Sequence, residues 1–411
     1  MTRTSFGLFT SAAFVAIGAA GVVAFSSTSP SFQVSYMRVL DATEMSTTTA
    51  VEIPSVVHMQ TPVPVKAIYM TQCAVGTPSF RDDLTKLIDA TELNAIVIDI
   101  KDYSGGIAFP SGNPMLSPYI SDKCGAKDMR AFVELLHDKG VYVIGRITVF
   151  QDPLFTAAHP ELAVKLASAT STVWKDYKGL SFIDVGAKPF WNYIIALSKE
   201  SYALGFDELN FDYIRFPSDG NMKDIYFPWS AGKNKQVALE EFYRYLHDEL
   251  KPIGAVLSAD LFGMTATNVD DLNIGQVLER ALPYFDYVSP MVYPSHYPPG
   301  FHGYTNVNEH PYDIVHFSMS EAVRRTVATT TSIASFAHTR IGTSTPATYA
   351  KPSYPISTMR PWLQSFDYPI TYTAEMVKAQ IDANEAAGLD SYMFWDPANK
   401  YRSLRQVLTE E

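Results

Sequence analysis

The stretch Asn94-Ala-Ile-Val-Ile-Asp-Ile-Lys-Asp102 decides the fold. Its apolar residues run almost unbroken and end in charge. A strand buried on both faces reads this way, and such strands belong to parallel sheets covered by helices. Similar strands follow at intervals: Val65–Thr71, Val141–Thr148, Glu208–Ile214, Ala255–Asp260, Tyr287–Val292, Arg360–Gln364 and Ser391–Trp395. Between them lie segments with helical spacing: 79–92, 127–139, 189–204, 235–251, 274–282, 313–329 and 373–387, with a last one at 403–408. Several end at a glycine in the C-capping place, such as Gly140, Gly205 and Gly388. Repeated β-α units force parallel strands with right-handed crossovers, and eight such units close into a barrel. The expected fold is therefore α/β, a (β/α)8 TIM barrel over residues 65–411 with loop insertions. An open doubly wound sheet is the rival. It would show a Gly-rich phosphate turn after its first strand, whereas Gln72-Cys-Ala-Val-Gly-Thr-Pro78 stands there.

Insertions occupy Gln151–Lys188, Pro217–Asn234 and Pro294–Pro311, and Ser332–Ser357 has room for a small hairpin. At the other end of the chain, Arg3 precedes 20 uncharged residues, Phe6 to Phe25. Residues 1–26 thus read as a signal peptide or an uncleaved transmembrane anchor, the anchor being favoured because the apolar run is long. Residues 27–64, rich in Ser, Thr and Pro, read as a linker, with Phe32–Leu40 able to form a short strand or helix. An exported, membrane-anchored or secreted monomer is expected. Cys73 and Cys124 are the only cysteines. An oxidising compartment would allow them to pair, and two free thiols is the alternative.

The net charge of -11 argues against a nucleic-acid partner, which needs a basic patch. There is no His-x-His or His-Glu-x-x-His pattern, no Gly-x-Ser-x-Gly elbow and no P-loop, so neither a metal nor a cofactor is expected. What the chain does have is polar chemistry where barrel strands end, the face that carries active sites. Asp212 and Asp260 close neighbouring strands. Strands lie about 4.8 Å apart, so the two carboxyls can stand roughly 5–9 Å apart, as the pair in a glycosidase must. Arg215, beside Asp212 in sequence, could keep it ionised as the nucleophile. Asp260, without a nearby cation, suits the acid/base. Tyr69, Asp99, Lys101, Asp102, Arg146, Arg215, Tyr293, His296, Gln364, Trp395 and Asp396 are candidate saccharide contacts. Arg146 would be costly inside a barrel unless paired with Asp99 or Asp212. Trp174, Trp362 and Trp395 are candidate stacking platforms for sugar rings.

The ordered motifs Val65–Thr71, Asn94–Gly105, Phe211-Asp-Tyr-Ile-Arg-Phe-Pro217, Pro290-Met-Val-Tyr-Pro-Ser-His-Tyr297 and Arg360-Pro-Trp-Leu-Gln364 resemble those of the "putative glycosyl hydrolase domain" family of bacteria, over about Val65–Tyr401. The resemblance implies a tethered or secreted barrel with a glycosidase-like site. More distantly, an Asp on strand 4 and a carboxylate on strand 5 are similar to the alpha-amylase superfamily. There the strand-5 acid is commonly Glu, whereas Asp260 stands here. The reading is a glycoside hydrolase, retaining, acting on an extracellular or cell-envelope polysaccharide. Its rivals are a non-catalytic glycan-binding protein of the envelope and an envelope scaffold that contacts other proteins.

Overall fold

The computed structural model describes residues 56–409, which form one compact unit. The expected signal or anchor at 1–26, the Phe32–Leu40 element and most of the 27–64 linker lie outside the described residues. Among the described residues, no helix is long and apolar enough to cross a membrane.

Eight parallel strands close into a barrel: β1 (Lys66–Met70), β2 (Ala95–Lys101), β3 (Tyr142–Thr148), β4 (Glu208–Asp212), β5 (Val256–Phe262), β6 (Tyr287–Met291), β10 (Trp362–Gln364) and β11 (Tyr392–Trp395). Strands β7 (Thr330–Thr331), β8 (Thr339–Ile341) and β9 (Thr348–Ala350) make a separate antiparallel sheet, ordered β7-β9-β8, with β8 and β9 inside the insertion expected to hold a hairpin and β7 just ahead of it. Each barrel strand is followed by helix. The helix Met129–Asp138 shows why: Met129, Phe132, Val133 and Leu136 recur at the helical period, and all four are buried against the barrel wall.

Two elements are shorter than their patterns suggest. The helix expected over 274–282 is a single turn, Leu278–Ala281. Leu272, Asn273 and Gly275 all take positive φ, so the chain turns there instead of winding. The turn places Gln276 so that its side chain accepts from Phe262 N (2.8 Å) and donates to Ile214 O (3.2 Å). The seventh barrel strand begins only at Trp362, since Pro361 has no N–H to give a ladder.

Alternation sorts each strand into an outward apolar set and an inward mixed set. On β4, Leu209 and Phe211 join the main apolar core between barrel and helices. The inward residues are Glu208, Asn210 and Asp212, all buried. At the barrel's N-terminal end, the last stretch before β1 is tied down: Met59 N donates to Asp207 (2.7 Å), and His58 stacks on Tyr202 at 3.8 Å.

At the opposite face, Cys73 and Cys124 form a disulfide with Cα atoms 4.5 Å apart. Closing this loop of 51 residues in sequence stabilises the chain by roughly 4 kcal/mol in the loop-entropy account.

Candidate active site

A cleft of about 450 Å³ opens at the C-terminal face of the barrel. Its floor is made by Arg146, Asp212, Asp260 and Trp362 from β3, β4, β5 and β10. The register explains why these meet. Asp99 pairs with Arg146, Arg146 with Asn210, and Asn210 with Ser258. Asp212 and Asp260 are two residues further along β4 and β5, so they emerge on the same inward face.

Arg146 is the hub. Its Nη1 donates to Asp99 Oδ1 at 2.6 Å, its Nη2 donates to Asp212 Oδ2, and its Nε lies 3.8 Å from Asp260 Oδ2. Asp212 and Asp260 therefore sit within the reach of one guanidinium. Asp212 is held by two donors, Arg146 and the backbone N–H of Tyr213 (2.5 Å). Tyr213 itself has φ of 50°, a left-handed conformation unfavourable for a bulky residue. Strain of this kind collects at functional sites.

Asp260 is held differently. Its Oδ1 accepts from Trp362 Nε1 (2.7 Å) and Asn210 Nδ2 (2.9 Å), which leaves Oδ2 facing Arg146 and the cleft. Burial is the main force pushing its carboxyl up, to about 8, and the negative charge of Asp212 pushes the same way. Arg146 and the two hydrogen bonds pull against that shift. Behind the hub, burial raises Asp99 to about 6 despite Arg146 and the hydroxyl of Tyr69, which donates to it.

The cleft walls are aromatic. Trp395 and Tyr293 stack with centroids 5.5 Å apart and an interplanar angle of 25°, and Phe366 meets Trp395 edge-on at 4.9 Å. His296 lies at the mouth with its Nδ1 3.0 Å from Ser295 Oγ. Burial, then Lys178, lowers its pKa and favours the neutral ring.

Of the candidate residues, Asp212, Asp260, Arg146, Arg215, Tyr293, His296 and Trp395 converge on the cleft. Tyr69 and Asp99 stand one layer behind it, holding Arg146. Four candidates lie elsewhere. The ladder slips between Asp99 and Lys101, so Lys101 pairs with outward-facing Ile147 and points into the helix layer. There it is fully buried, 2.9 Å from Asp152 and donating to Thr148 O at 2.6 Å. Asp102 accepts from Ser104 N (2.9 Å) and Ser104 Oγ (2.6 Å), bracing its own turn. Gln364 is buried, accepting from Ser295 Oγ (2.8 Å) and donating to Phe366 O (3.0 Å), so it braces two loops. Asp396 accepts from the backbone of Ala398, Lys400 and Tyr401, shaping the turn after β11.

Arg215 does line the cleft, but its expected partnership with Asp212 is taken by Arg146. Arg215 Nη1 donates instead to Phe216 O and Ser218 Oγ, and its guanidinium lies 4.7 Å over the Tyr213 ring. Trp174 is no stacking platform: it is buried against Phe182, with Nε1 bonded to Asn221 O. Trp362 lines the cleft and donates its N–H to Asp260. Asn210 was absent from the sequence candidates, although its spacing of two from Asp212 places it on the same strand face. Lys178, on an insertion, had no such signal.

A model of the family described as "Putative glycosyl hydrolase domain" matches residues 67–401. No functionally curated protein matches the sequence. Among solved structures, the PgaB (BpsB) glycoside hydrolase domain from Bordetella bronchiseptica is 13% identical at TM-score 0.57, with 85% of this chain and 100% of that one covered. The alpha-L-fucosidase isoenzyme 2 from Paenibacillus thiaminolyticus is 12% identical at TM-score 0.53, covering 84% and 49%. A hypothetical protein from Ruminiclostridium thermocellum ATCC 27405 is 35% identical over 47% of this chain and 96% of its own, at TM-score 0.43. The two likenesses at 12–13% identity are likenesses of fold.

Proposed function

The chain belongs to the "Putative glycosyl hydrolase domain" family, and from that premise we propose that it hydrolyses O-glycosidic bonds of an extracellular or cell-envelope polysaccharide with retention. The observation that carries the proposal is that Asp212 and Asp260 face one cleft from adjacent strands and lie against a single guanidinium, with burial pushing the Asp260 carboxyl up to about 8. Two carboxyl groups presented to one cleft from neighbouring strands suit the pair that glycoside hydrolysis needs, with Asp212 as nucleophile and Asp260 as acid/base.

In the proposed reaction, Asp212 attacks the anomeric carbon as the glycosidic C–O bond breaks. The leaving oxygen takes the proton held by Asp260. A water then attacks the anomeric carbon, gives its proton to the Asp260 carboxylate and releases Asp212. Trp362 and Asn210 aim Asp260, while Arg146 and the Tyr213 N–H each hold one oxygen of Asp212. Trp395 and Tyr293 offer ring faces for a pyranose. The Cys73–Cys124 disulfide and the apolar run Phe6–Phe25 support an exported protein, held to the membrane by residues 1–26, with the linker up to the docked His58 as its tether.

The test is release of reducing ends from a panel of envelope and exopolysaccharides. Wild type is expected to cleave at least one, and Asp212→Asn and Asp260→Asn to lose that activity with the fold retained by circular dichroism. Full activity in both variants would sink the assignment. Saccharide binding with no product would favour the glycan-binding alternative.

A further inference from the structure

The cleft mouth carries two cations that the chemistry at Asp212 and Asp260 does not use. One stands on a hairpin whose arms are bridged at Lys175 and Ser181. The turn is built from within. Asp176 Oδ1 accepts from Lys178 N (2.9 Å) and Leu180 N (2.8 Å), Asp176 N donates to Leu180 O (2.9 Å), and Gly179 closes the reversal at φ 80°. This frame presents Lys178 to the cleft wall. Across the mouth Arg215 lies flat on Tyr213, pinned by Phe216 O and Ser218 Oγ. Among the described residues, neither cation has a carboxylate oxygen within 4.0 Å, and Asp219, also on the rim, pairs with neither.

What sets these two apart is that they share the lining of one concave cleft. With 43 acidic residues against 32 Lys and Arg, surface cations have carboxylates in excess to choose from. Elsewhere on the exposed surface Lys139, Lys199, Lys233 and Lys251 take them, while Lys86, Lys127 and Lys223 pair with no carboxylate among the described residues but lie on open surface rather than in this cleft. Cations left unmatched in a concave site focus potential and concentrate anions there. An immobilised guanidinium fits the planar oxygens of a carboxylate, sulfate or phosphate, and a lysine adds a movable point charge.

We propose that the cleft takes a saccharide bearing a fixed negative charge, as a uronate carboxylate, sulfate ester or phosphate, gripped between Lys178 and Arg215. The inference rests on the glycoside hydrolase reading and names the substrate class of that same site.

The experiment is calorimetric titration of the Asp260→Asn protein with five probes: an oligogalacturonate, its carboxyl-reduced neutral twin, a sulfated oligosaccharide, a phosphodiester-linked oligosaccharide and a glucosamine oligomer. At least one anionic probe is expected to bind about tenfold or more tighter than the neutral twin, and which one does so identifies the acidic group. That margin should shrink as NaCl rises, and Lys178→Gln with Arg215→Gln should erase it. Lys178 is exposed on a turn that its side chain does not build, so its single variant keeps the test readable if the double variant misfolds. Equal or tighter binding of the neutral or glucosamine probe overturns the inference, as does a charge preference that survives both substitutions. Reducing-end release by wild type from the same probes is scored separately. Cleavage of a neutral probe would remove only the charge inference, whereas tight anionic binding with no cleavage of any probe would remove only the hydrolase reading.

Discussion

Strand β4 carries two acidic residues on one inward face, and they have opposite fates. Glu208 and Asp212 are four residues, roughly 13 Å, apart along the strand. At the barrel floor, Glu208 is ion-paired with Arg360, both side chains fully buried, while Tyr142 donates to Glu208 at 3.2 Å and the Arg360 guanidinium lies 4.2 Å over Tyr287. At the strand's C-terminal end, the base of the cleft, one guanidinium, Arg146, serves Asp99, Asp212 and Asp260. The barrel floor pairs one positive with one negative charge and seals them. The Arg146 layer sets three carboxyls against one cation and opens onto the cleft. Burial of three carboxyls beside one cation favours their neutral forms, and Asp260 is pushed up to about 8 and Asp99 to about 6. Stoichiometry and access, not residue type, separate a structural ion pair from a site able to do acid/base work.

The sharpest way to break this comparison is to neutralise each acid in turn. Asp212→Asn is expected to lower kcat by at least about 10³-fold with little change in thermal midpoint, measured on a validated polysaccharide, because it removes the attacking group. On the floor, Arg360→Met should do the reverse. It leaves Glu208 buried and unpaired and costs about 3–5 kcal/mol in urea unfolding, while kcat per folded molecule holds. A floor variant that was inactive yet stable would erase the distinction drawn between the two layers.

pH should report on the Arg146 layer alone. A folded Asp260 with a raised pKa keeps a proton that the unfolded chain releases above about pH 4. Its contribution to stability therefore declines as pH rises from there to about 8 and levels off above. Asp99 acts with the same sign up to about 6. Asp260→Asn should flatten the upper part of this decline in thermal midpoint against pH. In wild type kcat/KM should fall above about pH 8 as the acid/base loses its proton. A profile flat from 6 to 10 would contradict a protonated Asp260. The smallest expected effect belongs to the aromatic wall. Trp395→Ala should raise KM by about three- to tenfold with kcat less affected, since one ring–sugar contact is lost.

How far the chain could be read without coordinates follows the same physics. Barrel strands announced themselves because each is buried on both faces, so nearly every residue in a run such as Ala95–Lys101 is buried. The paired acids were legible because they end neighbouring strands. Lys101 was misplaced because one slip in the ladder turns a side chain from barrel to helix layer, and no residue type marks that slip. Asp396 and Gln364 were misplaced because a polar side chain at a strand end can bond to its own loops as readily as to a ligand. The 274–282 helix was overread because apolar spacing persists across a turn that Leu272, Asn273 and Gly275 impose through positive φ.

By itself the order of residues determined the parallel barrel and its acidic C-terminal rim, since burial on both strand faces and alternation with amphipathic helices are properties of local pattern. Only the folded chain decided which cation stands beside which acid, Arg146 rather than Arg215 with Asp212, and which acid keeps its proton. Those choices depend on distances between residues 47 to 114 positions apart in sequence, and on the loss of water around them, neither of which a linear pattern contains.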